Sequence, residues 1–354
     1  MTEITKKNIR HAFIYLTNAC NYNCIHCYLD CGPRRKNELS TKEVLNVIEQ
    51  LHNYGVNQIN LDGGEPFLRR DIFKILERIN SLGIQTSIVT NASLLNEEIM
   101  QRIRRFDVKL SFSLDGATSK TNAKIRRNPQ AFLNTINFIK RALELGLEVK
   151  IWYVVNALNI DEVPFLIESL IKEGIEVEKI KLLCFFKCSK MGRAERFWDL
   201  LKVDKQRWIK HLEEVKKIQR RYSFVSFEPW VVPEKDANFY FKNYGWCNLR
   251  RRELCYISCT GDVTFCSLLF NYEPLGNIRE KTFRDIWDSS EIWDLWEERS
   301  KEMQKKCQGC RYLPMCRGGC FANAFKHGRF CGRDLECSEG FIPLCTCFFF
   351  RREV

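Results

Sequence analysis

The sequence predicts an α/β chain in which repeated strand-helix units build a parallel sheet, followed by a small cysteine-rich α+β domain. Three observations carry this. Short runs rich in Ile, Val, Leu and Phe alternate with amphipathic runs of helical period from residue 11 to about 185. Capping residues and glycines punctuate the helical runs. Of the eighteen cysteines, four lie within residues 20–31 and twelve after residue 246, so thiol chemistry is concentrated in two places.

Taken in order, strands are expected over His11 to Leu16, Gln58 to Asp62, Ile84 to Thr90, Val108 to Leu114, Glu148 to Val154 and Glu178 to Leu183. Helices are expected over Thr41 to Asn53, Arg70 to Leu82, Asn96 to Arg105, Pro129 to Leu145 and Ile160 to Glu173. Ser40 with Glu43 forms a capping-box pattern before the first helix, and Gly83, Gly146 and Gly174 stand where left-handed C-caps belong. A barrel is expected, with its site at the C-terminal strand ends, where the βα loops gather. From Ser189 to about Arg221, Trp208, Leu212, Val215 and Ile218 fall at helical spacing and read as a linker helix with a solvated basic face. Tyr222 to Tyr244 is aromatic, with Pro229 and Pro233, and reads as irregular or short-strand structure at a domain boundary. A hairpin around Thr260-Gly261 and a helix from Thr282 to about Met303 complete the second domain, with Trp287, Trp293 and Trp296 as core packing. The expected domains are 1–221 and 222–354.

With 354 residues, 45% hydrophobic and 28% charged, the chain is long enough for two globular domains and has an ordinary composition. In a short secreted chain eighteen cysteines would mean disulfides; here, with a polar stretch from Met1 to Arg10 and no apolar h-region, metal thiolates in a reducing cytoplasm fit better. No apolar run approaches the roughly 20 residues of a spanning helix, so no membrane role is expected. The formal charge of +12 suggests an anionic partner. The basic residues are not gathered into a tail, which argues against nucleic acid.

The densest chemistry is Cys20-Asn-Tyr-Asn-Cys24-Ile-His-Cys27-Tyr28. Three thiolates at this spacing suit one [4Fe-4S] cluster with one iron open to a ligand, whereas a ferredoxin relay supplies a cysteine to every iron. The rival is a zinc knot, which wants four ligands and would take Cys31 or His26 as the last. Gly63-Gly64-Glu65-Pro66 follows the second strand, Thr90-Asn91 ends the third, and Ser113-Leu114-Asp115-Gly116 ends the fourth. Glycines let backbone approach a ligand closely, and a carboxylate makes a charge-assisted hydrogen bond to an ammonium. Downstream, Cys247, Gly261 and Cys266 give C-x13-G-x4-C, and Cys307, Cys310, Cys316 and Cys320 give C-x2-C-x5-C-x3-C.

The cysteine triplet and the GGEP run resemble the radical S-adenosylmethionine (SAM) superfamily, and the downstream cysteines resemble its SPASM extension, which holds two auxiliary [4Fe-4S] clusters. The six strand-helix units match the partial (β/α)6 barrel that this resemblance implies. It implies three [4Fe-4S] clusters and SAM as cofactors, with the SAM-binding cluster on Cys20, Cys24 and Cys27. Three clusters would lower the net charge to roughly +7. By resemblance, Gly63, Gly64, Glu65 and Pro66 receive the SAM amino group, Ser113 touches the ribose or methionyl part, and Arg126 contacts the methionyl carboxylate. Asn91 lies at the third strand end, and Val155 and Asn156 are placed to meet adenine. Tyr28 fits an aromatic beside adenine or simple core packing; Asp115 faces the site or serves the turn at Gly116. Cys307, Cys310 and Cys316, with a fourth ligand from Cys337, Cys345 or Cys347, match one auxiliary cluster. Cys247, Cys266 and Cys320, with Cys255 rather than Cys259, match the other. Sulfatase-maturing relatives carry an acidic residue directly after the G-x4-C cysteine, where this chain has Ser267, which argues against that subgroup. Cys184 and Cys188 read as buried small hydrophobes.

The resemblance implies reductive cleavage of SAM by an electron from a flavodoxin- or ferredoxin-type donor, a 5′-deoxyadenosyl radical, and hydrogen abstraction followed by oxidation. A peptide- or protein-modifying maturase is the first expectation, weighed against the ten residues before the first strand, which leave no room for an N-terminal peptide-recognition domain. The second is a small-molecule enzyme, such as a haem-pathway tetrapyrrole modifier or an alcohol dehydrogenase. A non-enzymatic iron-sulfur or zinc protein is the third.

Overall fold

The structure is a computed structural model and describes residues 9–244, 252–270, 274–326, 334, 337, 338 and 340–344. It divides into two compact units. One is formed by His11–Phe227 with Ile257–Gly261, the other chiefly by Glu228–Tyr256 and the chain from Asp262 onward.

In the first unit seven strands run in chain order: β1 (His11–Thr17), β2 (Gln58–Gly63), β3 (Gln85–Thr90), β4 (Val108–Ser113), β5 (Val149–Val155), β6 (Leu182–Lys187) and β7 (Val225–Phe227). Every neighbouring pair is parallel. The connecting helices are α1 (Thr41–Tyr54), α2 (Ile72–Ser81), α3 (Glu97–Ile103), α4 (Ser119–Arg126), α5 (Ala131–Glu144) and α6 (Leu166–Lys172). Ser40 closes the expected capping box on α1, where the Glu43 side chain returns the hydrogen bond.

Register separates two chemistries. Ile14 lies beside Leu61, Leu61 beside Ile88, and Ile88 beside Leu110; all four are essentially inaccessible to solvent. On the opposite face Tyr15 lies beside Asp62, Asn60 beside Ser87, and Ser111 beside both Val89 and Lys150. Side chains alternate along a strand, so one sheet face is apolar, while the other mixes polar side chains with Phe13, Tyr15 and Val89. Burying each Ile or Leu stabilises the apolar face by roughly 1.5–3 kcal/mol.

Several elements depart from the sequence expectation. The sixth strand is Leu182–Lys187 rather than Glu178 to Leu183, because Val177–Lys179 winds into a 3-10 turn that buries Val177. The expected helix from Ile160 begins as a 3-10 segment, Ile160–Phe165, with Pro164 inside it; proline has no N–H for an α-helical bond, and α6 starts only after it. The linker helix is three pieces, Arg193–Arg196, Trp198–Leu201 and Lys205–Arg221, the last burying Trp208, Leu212 and Val215. Strand β7 carries the first unit's sheet past Arg221 to Phe227.

The second unit contains β8 (Val231–Pro233), β9 (Leu254–Ile257), β10 (Asp262–Thr264), β11 (Gly276–Asn277) and β12 (Phe341–Pro343). Strands β8 and β12 pair antiparallel, and β9, β10 and β11 are neighbours in that order. The hairpin turn after β9 closes through Gly261 N–H to the Ser258 carbonyl, with Gly261 at φ 94°. Thr282, where the expected helix starts, caps Phe283–Asp288, but the helix breaks before resuming as Ile292–Lys306. At that break the Trp293 indole donates to the Trp287 carbonyl at 2.7 Å and both rings are buried; the Trp296 side chain lies outside the described residues. No helix among the described residues is long and apolar enough to cross a membrane.

Candidate active site

The first cysteine loop leaves β1 at Thr17 and is closed on itself. Cys20 N–H donates to the Gly32 carbonyl at 2.8 Å and Gly32 N–H to the Asn18 carbonyl at 3.0 Å. Within it Cys27 N–H reaches the Cys24 carbonyl, and Ile25 N–H is held by the Ile125 carbonyl of α4 at 2.9 Å. Cys20, Cys24 and Cys27 are each partly exposed. Burial pushes the Cys20 thiol up and the Cys24 thiol up to about 12, and the thiolates of Cys27 and Cys20 push Cys24 the same way; Arg126 acts against both shifts. Cys27 moves down because the Cys31 thiol and amide hydrogen-bond to its sulfur. Three thiols gathered in a desolvated pocket do not all ionise unaided. A cationic iron core relieves that repulsion, so the donor set fits an iron-sulfur cluster.

The Gly63–Pro66 turn is stitched to the start of this loop. Gly64 N–H donates to the Thr17 carbonyl and Glu65 N–H to the Ala19 carbonyl, each at 2.8 Å. Gly63 has φ 118°, a Cβ there would lie 2.6 Å from the Thr17 oxygen, and one at Gly64 would collide with the Ala19 carbonyl. Only glycine fits both positions. Pro66 opens the 3-10 segment Pro66–Leu68. The Glu65 carboxylate is fully buried and accepts from Thr90 Oγ1 at 2.9 Å, Asn91 N–H at 2.8 Å and Phe67 N–H at 3.2 Å. Desolvation pushes it up to about 7 against those donors. Asn91 in turn reaches Asn21 Oδ1 at 3.0 Å and lies 3.9 Å from Cys20 Sγ. Asp62, on the mixed sheet face, is also pushed up by burial to about 7.

At the end of β4, Asp115 is a hub rather than a turn residue. Its Oδ2 lies 2.6 Å from Arg126 Nη2 and 3.3 Å from His26 Nε2, while Oδ1 accepts the Val154 N–H of β5 at 2.8 Å. Asp115 N–H donates to Asn122 Oδ1 at 2.8 Å, and its carbonyl accepts from Asn159. Two buried donors of this cluster, Arg126 Nε and Asn122 Nδ2, have no hydrogen-bond partner. Buried donors without partners are rare and costly, so this cluster suits an incoming acceptor such as a carboxylate.

The remaining expected residues fall at the same strand ends, with unequal access. Ser113 is partly buried, and Tyr28 places its hydroxyl 2.7 Å from that of Tyr15 on β1. Val155 and Asn156 are fully buried. The Asn156 amide is spent on Val154 O and Leu158 N–H, closing the turn after β5. Two side chains outside the expected SAM-binding set join the site: His26, which the sequence offered only as a zinc ligand, through Asp115, and Arg193, which reaches the cysteine loop from beyond β6. For His26 the signal was its place between two cysteines. Arg193 had none, because its partners, three carbonyls and Asp30, are brought to it only by the fold.

In the second unit Cys307, Cys310 and Cys316 share one loop. Cys310 N–H donates to the Cys307 carbonyl at 3.0 Å and Cys316 N–H to the Tyr312 carbonyl at 2.8 Å. Burial pushes the Cys316 thiol up to about 12, and the nearby Cys337 thiolate pushes in the same direction. Cys320 N–H is held by buried Asp334 at 2.8 Å, and buried Arg299 donates to the Gly318 carbonyl. Cys255 is fully buried on β9, where desolvation alone raises it, and Cys266 is partly exposed. Cys259 falls in the hairpin turn, in the Ile257–Gly261 segment that groups with the first unit. Cys247, Cys345 and Cys347 lie outside the described residues.

Against known families, the radical SAM superfamily model matches residues 14–170 and an iron-sulfur cluster-binding domain model, SPASM, matches residues 247–311. The chain thus carries a radical SAM domain followed by a SPASM domain. Among curated relatives, the AdoMet-dependent heme synthase of Methanosarcina barkeri is 28% identical over 326 residues, covering 88% of this chain and 90% of that protein. The mycofactocin maturase MftC of Mycolicibacterium smegmatis is 28% identical over 336 residues, covering 92% and 81%. Among solved structures, Streptococcus suis SuiB bound to its precursor peptide SuiA superposes with a TM-score of 0.74 at 21% identity, covering 93% of this chain and 75% of that one. That likeness is one of fold. For this radical SAM chain the two matches imply iron-sulfur clusters and SAM, and the cysteine loop, the Gly63–Pro66 turn and the Asp115–Arg126 pair all lie within the span of the superfamily model.

Proposed function

We propose that this enzyme cleaves SAM reductively at a [4Fe-4S] cluster on Cys20, Cys24 and Cys27 and uses the radical to modify a peptide or protein oxidatively, by crosslinking or dehydrogenation. The observation that carries the reading is the convergence, at the C-terminal ends of β1 to β4, of three desolvated thiols, the buried Glu65 carboxylate and the half-partnered Arg126. Cys20, Cys24 and Cys27 would hold the cluster, which would supply the electron for reductive cleavage of SAM and so the means to abstract a substrate hydrogen.

The chain's own residues bind and orient. Arg126, held by Asp115, offers Nε to the methionyl carboxylate, and Glu65 has acceptor capacity left on Oε2 for the methionyl ammonium. Gly63 and Gly64 bring backbone against the same group without a side chain in the way. Asn91 couples Glu65 to the cysteine loop, so ammonium recognition and cluster seating share one network. In the second domain we assign Cys307, Cys310, Cys316 and Cys337 to one auxiliary cluster, since Cys337 is close enough to bias Cys316. Cys247, Cys255, Cys266 and Cys320 are assigned to the other. A flavodoxin- or ferredoxin-type protein in the cytoplasm is the proposed electron source, suited to the positive net charge.

The similarity to the mycofactocin maturase supports a peptide substrate, and similarity of equal identity to the heme synthase supports a second reading, a tetrapyrrole. Anaerobic titration with an iron porphyrin separates them. A saturable Soret shift that protects against SAM uncoupling favours the tetrapyrrole; no shift, with mass loss in a peptide encoded beside the gene, favours the maturase.

A further inference from the structure

We propose that Arg193, with Gly192 before it, is a positioning residue that fixes the three-cysteine loop from the far end of the first unit's sheet. The inference rests on reading Cys20, Cys24 and Cys27 as cluster ligands. Strands β1 and β7 stand at opposite ends of that unit's strand order, so the loop after β1 and the segment after β6 are not joined through a shared β-ladder. Arg193 makes the connection. Its Nη1 donates to the Cys24 carbonyl at 3.1 Å, its Nη2 to the Cys31 carbonyl, and its backbone N–H to the Cys27 carbonyl at 2.9 Å. Its Nε lies 3.1 Å from Asp30 Oδ1, and Arg196 holds the same carboxylate at 2.8 Å.

Every side-chain nitrogen of one buried residue, and its backbone N–H, is thus spent on a single loop of another element. Two of the carbonyls belong to cysteines assigned as ligands, and holding a carbonyl restrains the peptide plane that carries that cysteine's Cα. Gly192 makes the approach possible. It has φ 55°, and a Cβ there would run into the Tyr28 carbonyl and lie 2.9 Å from Asp30 N. Beneath the contact, Cys188, Ala194 and Leu201 pack with Ile25 and Ile125, so the polar clamp rests on an apolar seat. A planar guanidinium reaches several acceptors at fixed angles, whereas an ammonium on a flexible stem does not. Charge alone therefore does not replace it.

The test compares the parent with Arg193→Lys, Arg193→Met and Asp30→Asn after anaerobic reconstitution of the full chain. Iron per chain, the SAM-induced change in the electron paramagnetic resonance of the dithionite-reduced protein, and the half-life of the cluster absorbance in air are recorded, with circular dichroism as the folding control. The expected result is unchanged secondary structure, a SAM-dependent signal lost in Arg193→Met and Arg193→Lys, and cluster bleaching about tenfold faster or more, the range seen when groups supporting metal ligands are removed. If Arg193→Met is insoluble, Arg193→Lys and Asp30→Asn decide, with bleaching accelerated in both. Parent-like iron, signal and half-life in Arg193→Lys and Asp30→Asn overturn the proposal. A parent that itself shows no SAM-dependent signal overturns the cluster reading instead, so the two failures are distinguishable.

Discussion

Asp115 Oδ2 stands 2.6 Å from Arg126 Nη2 with both side chains buried, so the arginine that the sequence offers to SAM is already half committed to the protein. The pair turns a guanidinium on a polar helix, α4, into a fixed donor. Removing one partner of a buried pair leaves an uncompensated charge. Asp115→Asn keeps an oxygen for Val154 N–H but not the charge, and it is expected to lower stability by about 3–5 kcal/mol in urea denaturation. Adding Arg126→Met to it should recover part of that loss; a single variant within about 1 kcal/mol of the parent would show that the pair is not what holds β4, β5 and α4 together.

Arg126→Met alone should retain the parent's iron content while weakening SAM binding about ten- to a hundredfold, the equivalent of one charge-assisted hydrogen bond. Equilibrium dialysis with labelled SAM reads this directly. Unchanged affinity removes Arg126 from the SAM site.

Glu65 gives a pH signature. Its carboxyl is pushed up to about 7, above the ordinary carboxylate range, so the native state holds its proton more tightly than the unfolded chain. That contribution is fully present below the unfolded value near 4.5 and is lost as pH rises through about 7, a difference on the order of 3 kcal/mol. Metal-free parent should therefore lose more stability than Glu65→Gln between pH 5 and pH 8. Asp62 is pushed up chiefly by burial in both proteins and to a lesser degree by Glu65, so the difference between the two curves reads Glu65 together with its push on Asp62. Parallel curves would contradict the assignment.

Cys310 and Cys316 lie in one compact loop, and Ala at both should remove about four irons and loosen the second unit, since metal binding contributes to its folding. The first unit's sheet is built from local strand-helix units, so SAM cleavage with dithionite should persist while substrate product is lost. Normal product yield would make that cluster dispensable. Loss of soluble protein would show that the units do not fold separately.

Most of the first unit was legible because its signals are local. The short apolar runs around Ile14, Leu61, Ile88 and Leu110, the Ser40 capping box and the glycine C-caps each act within a few residues. Strand β7 was too short to carry a period, and α4, Ser-Lys-Thr-Asn-Ala-Lys-Ile-Arg, is too polar to read as amphipathic; it holds its place through Asn122 and Arg126. The sixth strand begins later than expected because Ile180, Leu182 and Leu183 extend its apolar run back toward the 3-10 turn of Val177–Lys179. In the site, motif residues were found by spacing, but Asp115's reach to β5 and Arg193's grip on three carbonyls depend on long-range geometry that spacing does not encode.

The most direct test of the account is 5′-deoxyadenosine formation by anaerobically reconstituted protein with SAM and dithionite, measured beside iron content in the parent and in a Cys20→Ala, Cys24→Ala, Cys27→Ala triple variant. The account predicts roughly 12 irons per chain and 5′-deoxyadenosine in the parent, and about four fewer irons with no 5′-deoxyadenosine in the variant. Undiminished 5′-deoxyadenosine from the triple variant, or a parent that binds zinc in place of iron and forms none, would contradict it.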